Sequence, residues 1–140
     1  MAMTTWLRRA SLAASFALLV PGAALQAQSG QADKSSFTVD ADRAKAGAGV
    51  WTAKGCAACH TIGKGATLGP DLAGVLERRE RSWLERWLKE PDAMLQSDST
   101  AKAMLAEYNN IPMPNLSLKD EEVEALLHYL AQESAKAAGS

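Results

Sequence analysis

Apolar residues recur at helical spacing in separate stretches of the chain, and nowhere do they alternate in the manner of a strand. Asp40 or Asp42 can cap a helix running to about Lys54, with Ala44, Gly47, Ala48 and Trp51 at helical spacing and a stop at Gly55. Ser82 can cap a short helix, SWLERWLKE, in which Trp83 and Trp87, and Leu84 and Leu88, stand four apart before Pro91 ends it. A further helix spans Thr100 to Tyr108, with Met104, Leu105 and Tyr108 apolar. The last is the clearest: Ser117 with Asp120 three residues on makes a start like a capping box, and Leu118, Val123, Leu126, Leu127 and Leu130 follow. Between the first two helices, GCAACHTIGKGATLGPDLAGV is rich in Gly and Ala and keeps no period, as expected of a loop wrapped around something. The pattern predicts an all-α domain of short helices and long loops.

The first residues follow a different logic. Arg8 and Arg9 precede an apolar run from Ala10 to Val20 that Pro21-Gly22 interrupts. Its eleven residues are too few to cross a bilayer, which takes roughly 20, so the run predicts a secretory signal and not a membrane anchor. The small residues of LQAQSG place cleavage after Ala27, with Ala24 the second choice, and no cysteine follows to carry a lipid. Residues 28–39 are small and polar and read as a flexible leader. That leaves 40–140 as the folded domain.

With 140 residues, 47% hydrophobic, 22% charged and a formal charge of -1, the chain reads as one small globular domain with no basic excess to bind nucleic acid. Loss of residues 1–27 would remove Arg8 and Arg9 and no acidic residue, leaving an exported, mildly acidic protein. A domain of this size buries only a modest core and often leans on a disulfide, metal or cofactor. The two cysteines therefore carry weight.

They stand in CAACH, Cys56 to His60. Cysteines at i and i+3 can each form a thioether with a haem vinyl group, and the adjacent histidine then reaches the iron from the same side. Thiol redox pairs of this spacing sit at helix starts in βαβ units, which are absent from the pattern. A zinc site needs four ligands, and only the distant His128 could complete Cys56, Cys59 and His60. A disulfide across so short a loop would stabilise little. Covalent haem remains, and it would supply apolar surface that a short chain lacks.

The blocks GAGVWTAKGCAACH, LGPDLAGV and MPNLSLKDEEVEALLHYL, in that order, resemble the class I c-type cytochromes, small soluble single-haem electron carriers. The likeness runs over residues 40 to 131. It implies the cytochrome c fold and one haem c bound through Cys56 and Cys59, with His60 as the proximal iron ligand. It also implies that Pro70 presents its carbonyl to the other ring nitrogen of His60, although Gly69-Pro70 taken alone can be simply a turn. The first and last helices would cross beside the haem, with Gly47 and Trp51 facing Leu126 and Tyr129.

Candidates for the second axial position are Met94, Met104, Met113 and His128. Met94 lies in a loop with no evident brace, Met104 on an apolar helix face, and His128 in the final helix as a partly exposed side chain. Met113 lies between Pro112 and Pro114, which restrict the backbone on both sides and limit the entropy lost when the side chain binds. The resemblance points to the same residue. Trp83 and Trp87 read as core at helical spacing, although the family permits an aromatic here to line the haem or donate to a propionate. The basic residues between Glu77 and Lys89 are interleaved with Glu77, Glu80 and Glu85, as on a solvated mixed-charge face.

The expectation is a periplasmic, monomeric electron carrier, not an enzyme, with His60 and Met113 on the iron of one haem c. It would exchange single electrons with donor and acceptor proteins, and with no nucleic acid partner, in a respiratory chain or at a terminal reductase. The alternatives are a haem protein whose open axial site binds or reduces a small molecule, and a thiol redox module.

Overall fold

Asp40 accepts the backbone N–H of Arg43 at 2.9 Å and so caps the first helix, α1, Ala41–Ala53. Gly55 takes the left-handed conformation (φ 69°) that ends it. The computed structural model describes residues 37–139; the expected signal segment, its cleavage site and most of the leader lie outside them. After a 3-10 turn at Cys56–Ala58 come α2, Val75–Arg78; α3, Arg81–Lys89; α4, Pro91–Ser97; α5, Ser99–Glu107; and α6, Asp120–Ala138. Among the described residues there is no strand, in keeping with the all-α expectation.

Several helix starts differ from those predicted. Ser82 does not cap α3: the helix begins one residue earlier, from the extended backbone of Glu80, whose carbonyl accepts the Leu84 N–H at 3.1 Å. Pro91 follows the end of α3 but does not lead into a loop. It occupies the first turn of α4, where a fixed φ and a missing N–H cost nothing. Met94, expected in an unbraced loop, is consequently a helical core residue, 2% exposed. Asp98 starts α5 by accepting the Ala101 N–H at 2.9 Å.

The capping signal of α6 lies two residues later than Ser117. Ser117 has φ 49° and donates its N–H to Asn115 Oδ1 at 2.9 Å. Lys119 holds the cap position, and its N–H is received by Glu122 Oε2 at 2.9 Å. Leu118 and Val123, on either side of that start, are both buried in the core as a hydrophobic staple.

α6 supplies most of the core through Val123, Leu126, Leu127 and Leu130, against Leu84 of α3 and Val75 of α2. α1 crosses it with Gly47 inward. A Cβ on Gly47 would stand 2.1 Å from the Ala125 carbonyl oxygen and 2.8 Å from Tyr129 Cβ, so Ala125, not Leu126, is the close partner. Leu126 points into the core beside it. Trp51 and Tyr129 do pair, with ring centroids 5.7 Å apart.

His128 is buried, 6% exposed, contrary to the expectation of a partly exposed side chain. Its Nδ1 accepts the Asp40 N–H at 3.1 Å, and its Nε2 meets Glu124 Oε1 at 3.2 Å. Glu124 also receives Arg43 of α1 and Arg81 of α3, and the Phe37 ring packs against His128, tilted by 45° with the centroids 4.6 Å apart. The histidine thus ties the chain ahead of α1 to α6, with both ring nitrogens in use.

Candidate haem site

The turn after α1 presents Cys56 and Cys59, both half-buried. As a free thiol Cys56 is pushed above its ordinary value, chiefly by burial and further by neighbouring Cys59. That is opposite to the lowered thiol a redox pair requires. Among the described residues no three His, Cys, Asp or Glu side chains converge as a metal-binding group.

His60 leaves the turn with its ring set by the loop opposite. Its Nδ1 lies 2.9 Å from the Pro70 carbonyl oxygen. A carbonyl can only accept, so Nδ1 carries the proton and Nε2 keeps its lone pair. Gly69 packs flat on this ring: a Cβ there would stand 2.6 Å from His60 Cε1 and 3.2 Å from the Cys59 carbonyl oxygen. The loop is drawn back by Gly69 N–H and Thr67 Oγ1, both donating to the Cys59 carbonyl, at 2.8 Å and 2.6 Å. Gly69-Pro70 is therefore more than a turn.

Asp71, unremarked in the sequence pattern, organises the same loop. Its carboxylate receives the N–H groups of Gly63, Gly65 and Ala73 and the hydroxyl of Thr61. Burial works to raise its pKa, but the bonds from Ala73, Gly63, Gly65 and Thr61 prevail and bring it down to about 2. The available signal was an acid directly after Gly-Pro in a glycine-rich stretch.

Cys59 and His60 form one wall of a cleft of about 550 Å³, and Met113 with Pro112 and Pro114 forms part of another. Trp87 of α3 and Met104 of α5 also line it, so Met104, expected in the core, is a half-buried cleft residue outside the hydrophobic core cluster. An adjoining cavity shares Pro70, Trp87, Met104 and Tyr108. Trp83 stacks on Trp87 at 5.6 Å, but its indole N–H is spent on Asp98 Oδ2 at 3.1 Å and is not offered to a propionate. Met94 and His128 lie outside the cleft lining.

The Met113 segment is anchored from both sides. Asn109 and Asn110 take positive φ, 58° and 57°, to turn the chain out of α5. Beyond Pro114, Asn115 Nδ2 donates to Asp92 at 3.3 Å, and Lys54 Nζ donates to the Leu116 carbonyl at 3.3 Å. Of the arginines and lysine in the mixed-charge run, Arg81 pairs with Glu85 and Glu124, Arg86 with Asp98 and Lys89 with Asp120.

The cytochrome c family model matches residues 44–134. The chain belongs to the cytochrome c family. Its cofactor is haem c, attached through the two cysteines of CAACH, and its function is haem-based electron transfer. The residues fit that group on this structure's own terms: the cleft is lined by Cys59, with Cys56 one turn before it, and by an imidazole whose Nε2 keeps its lone pair, together with largely apolar side chains and a glycine where any side chain would collide with the imidazole.

Similar solved structures agree. A cytochrome c from Rhodothermus marinus is 28% identical, with a TM-score of 0.66 over 71% of this chain and 83% of that one. The cytochrome c domain of the pp3183 protein from Pseudomonas putida is 41% identical, with a TM-score of 0.57 over 64% of this chain and 89% of that one. An engineered form of the R. marinus protein, bound to a carbene intermediate, is 28% identical with a TM-score of 0.62, covering 71% of this cytochrome and 83% of that chain. No curated protein matches the cytochrome significantly.

Proposed function

We propose that this cytochrome is a periplasmic electron carrier whose haem iron is held by His60 and Met113 and which serves a respiratory chain or a terminal reductase. The observation that carries the reading is the His60–Pro70 contact, which leaves Nε2 of His60 free in a cleft that Met113 also lines. The haem supplies the one-electron redox change. His60 would donate Nε2 to the iron, with the Pro70 carbonyl fixing the ring and raising its basicity. Met113 would donate its thioether, which favours the reduced state and leaves no open position for substrate.

Met113 is preferred to Met104 because its backbone is restrained by two prolines and by the anchors at Asn115 and Leu116, whereas Met104 projects from α5. The apolar cleft walls limit water near the cofactor. Export and cleavage after Ala27 rest on the sequence of residues 1–27. Among the described residues no helix is long and apolar enough to cross a membrane. Donor and acceptor are proteins, with the cytochrome acting as a monomer.

A second reading, an open axial site that binds or transforms a small molecule, draws on the engineered R. marinus relative and its carbene intermediate. Absorption spectra of the mature holoprotein in both redox states separate the two. A sulfur-to-iron charge-transfer band in the ferric protein, with ferrous protein slow to take up carbon monoxide, supports the carrier. Its absence with rapid uptake sinks that reading in favour of the open site.

A further inference from the structure

His60 and Pro70 are followed by Thr61 and Asp71, and these successors also meet: Thr61 Oγ1 donates to Asp71 Oδ2 at 3.1 Å. One step further, the Leu72 N–H donates to the Thr61 carbonyl at 2.9 Å. The strand of chain leaving His60 and the strand bearing Pro70 are thus laced together by successive bonds, of which the His60–Pro70 contact at 2.9 Å is the first.

The Asp71 carboxylate is the common point of that lacing. Oδ1 accepts from Gly63 N and Ala73 N, each at 2.8 Å, while Oδ2 accepts from Gly65 N at 2.5 Å as well as from Thr61. Its backbone carbonyl is held in turn by Arg78 Nη2 at 3.0 Å. Three N–H donors, and the Thr61 hydroxyl whose single proton is shared with the Gly65 carbonyl, converge on two oxygens, a demand that an ionised carboxylate meets. Asparagine would turn an NH2 group toward two of them, and glutamate would overreach by one methylene.

We propose that Asp71 is a positioning residue for His60: by clamping the 61–65 segment to the Pro70 segment it sets the His60 Nδ1–Pro70 contact, and through it the basicity of the iron-facing nitrogen. The proposal rests on His60 as an iron ligand. A shorter, better aligned contact gives the imidazole more anionic character and favours the ferric state. Loosening the clamp therefore raises the reduction potential.

The test uses the holoprotein and three variants, Asp71→Asn, Asp71→Glu and Thr61→Val. The last removes the Thr61 hydroxyl, with its contacts to Asp71 and to the Gly65 carbonyl, without altering charge and keeps shape, so it remains informative if the Asp71 variants fail to fold. Two quantities are read: exchange of the His60 Nδ1–H in the reduced protein by NMR, and the equilibrium reduction potential. All foldable variants are expected to exchange this proton roughly five- to tenfold faster, the equivalent of one net hydrogen bond, and to shift the potential upward. Unchanged exchange in the variants overturns the proposal. So does a potential that rises in Asp71→Asn alone, with Asp71→Glu and Thr61→Val at wild-type values in both readouts, because the effect is then one of charge. Wild-type His60 ring protons lacking the large ring-current shifts of an iron-bound imidazole would overturn the ligand assignment itself, and Asp71's role with it.

Discussion

Gly47 of α1 and Ala125 of α6 touch so closely that a methyl group on the first would stand 2.1 Å from the carbonyl oxygen of the second. Helix propensity alone would make alanine about 1 kcal/mol better than glycine at an interior helical position. Here the added atom collides with backbone, which cannot swing aside, and overpacking of that kind costs about 1–3 kcal/mol. Gly47→Ala should therefore lower the unfolding free energy of the holoprotein. Gly49→Ala, whose new Cβ meets nothing within 4 Å, should raise it. Denaturant unfolding of the two variants side by side checks the contrast.

Asp71 gives a dependence on acid. Its folded pKa is lowered from the ordinary aspartate value of 3.8 to about 2, so the folded state binds fewer protons there than the unfolded chain. The contribution is present in full above pH 4 or so and is lost as pH falls through the folded value. Asp71→Asn should be less stable than the parent at neutral pH, and the two unfolding curves should converge as pH approaches 2. A gap that stays constant across that window would show that the carboxylate's charge contributes nothing.

Met113→Ala should abolish the ferric sulfur-to-iron charge-transfer band and lower the reduction potential, since on the proposed ligation the iron would lose a ligand that favours the reduced state. Met104→Ala should keep the band. The reverse pattern in absorption spectra would transfer the ligand role to α5.

Trp83→Phe keeps the stack on Trp87 but drops the bond to Asp98. A loss of about 1 kcal/mol is expected, with the haem spectrum and potential unmoved, because that N–H is held by Asp98. A shifted potential in this variant would restore the tryptophan to the haem's surroundings.

The helices and the haem motif were legible because their signals are local. CAACH, the caps at Asp40 and Gly55, and the apolar period of α6 each need only a few neighbouring residues. What failed to show was set by tertiary partners. Pro91 at a helix start and Pro91 at a helix end look alike until α4 buries Met94. Ser117 and Lys119 compete as caps, and the staple between Leu118 and Val123 decides for the second. His128 reads as an ordinary helix histidine because Asp40, which uses its Nδ1, lies far off in sequence. Asp71 was silent for the same reason: its donors at Gly63 and Gly65 are glycines, whose side chains announce nothing.

The pairing of α1 with α6 also makes the two ends of the domain depend on each other. Synthesis delivers the amino-terminal end first, so α1 and the attachment cysteines emerge while the helix that completes their core has yet to be made. A chain at that stage lacks Val123, Leu126, Leu127 and Leu130 and cannot close. Cys56 and Cys59, in the turn that follows α1, belong to no closed core until the last helix arrives.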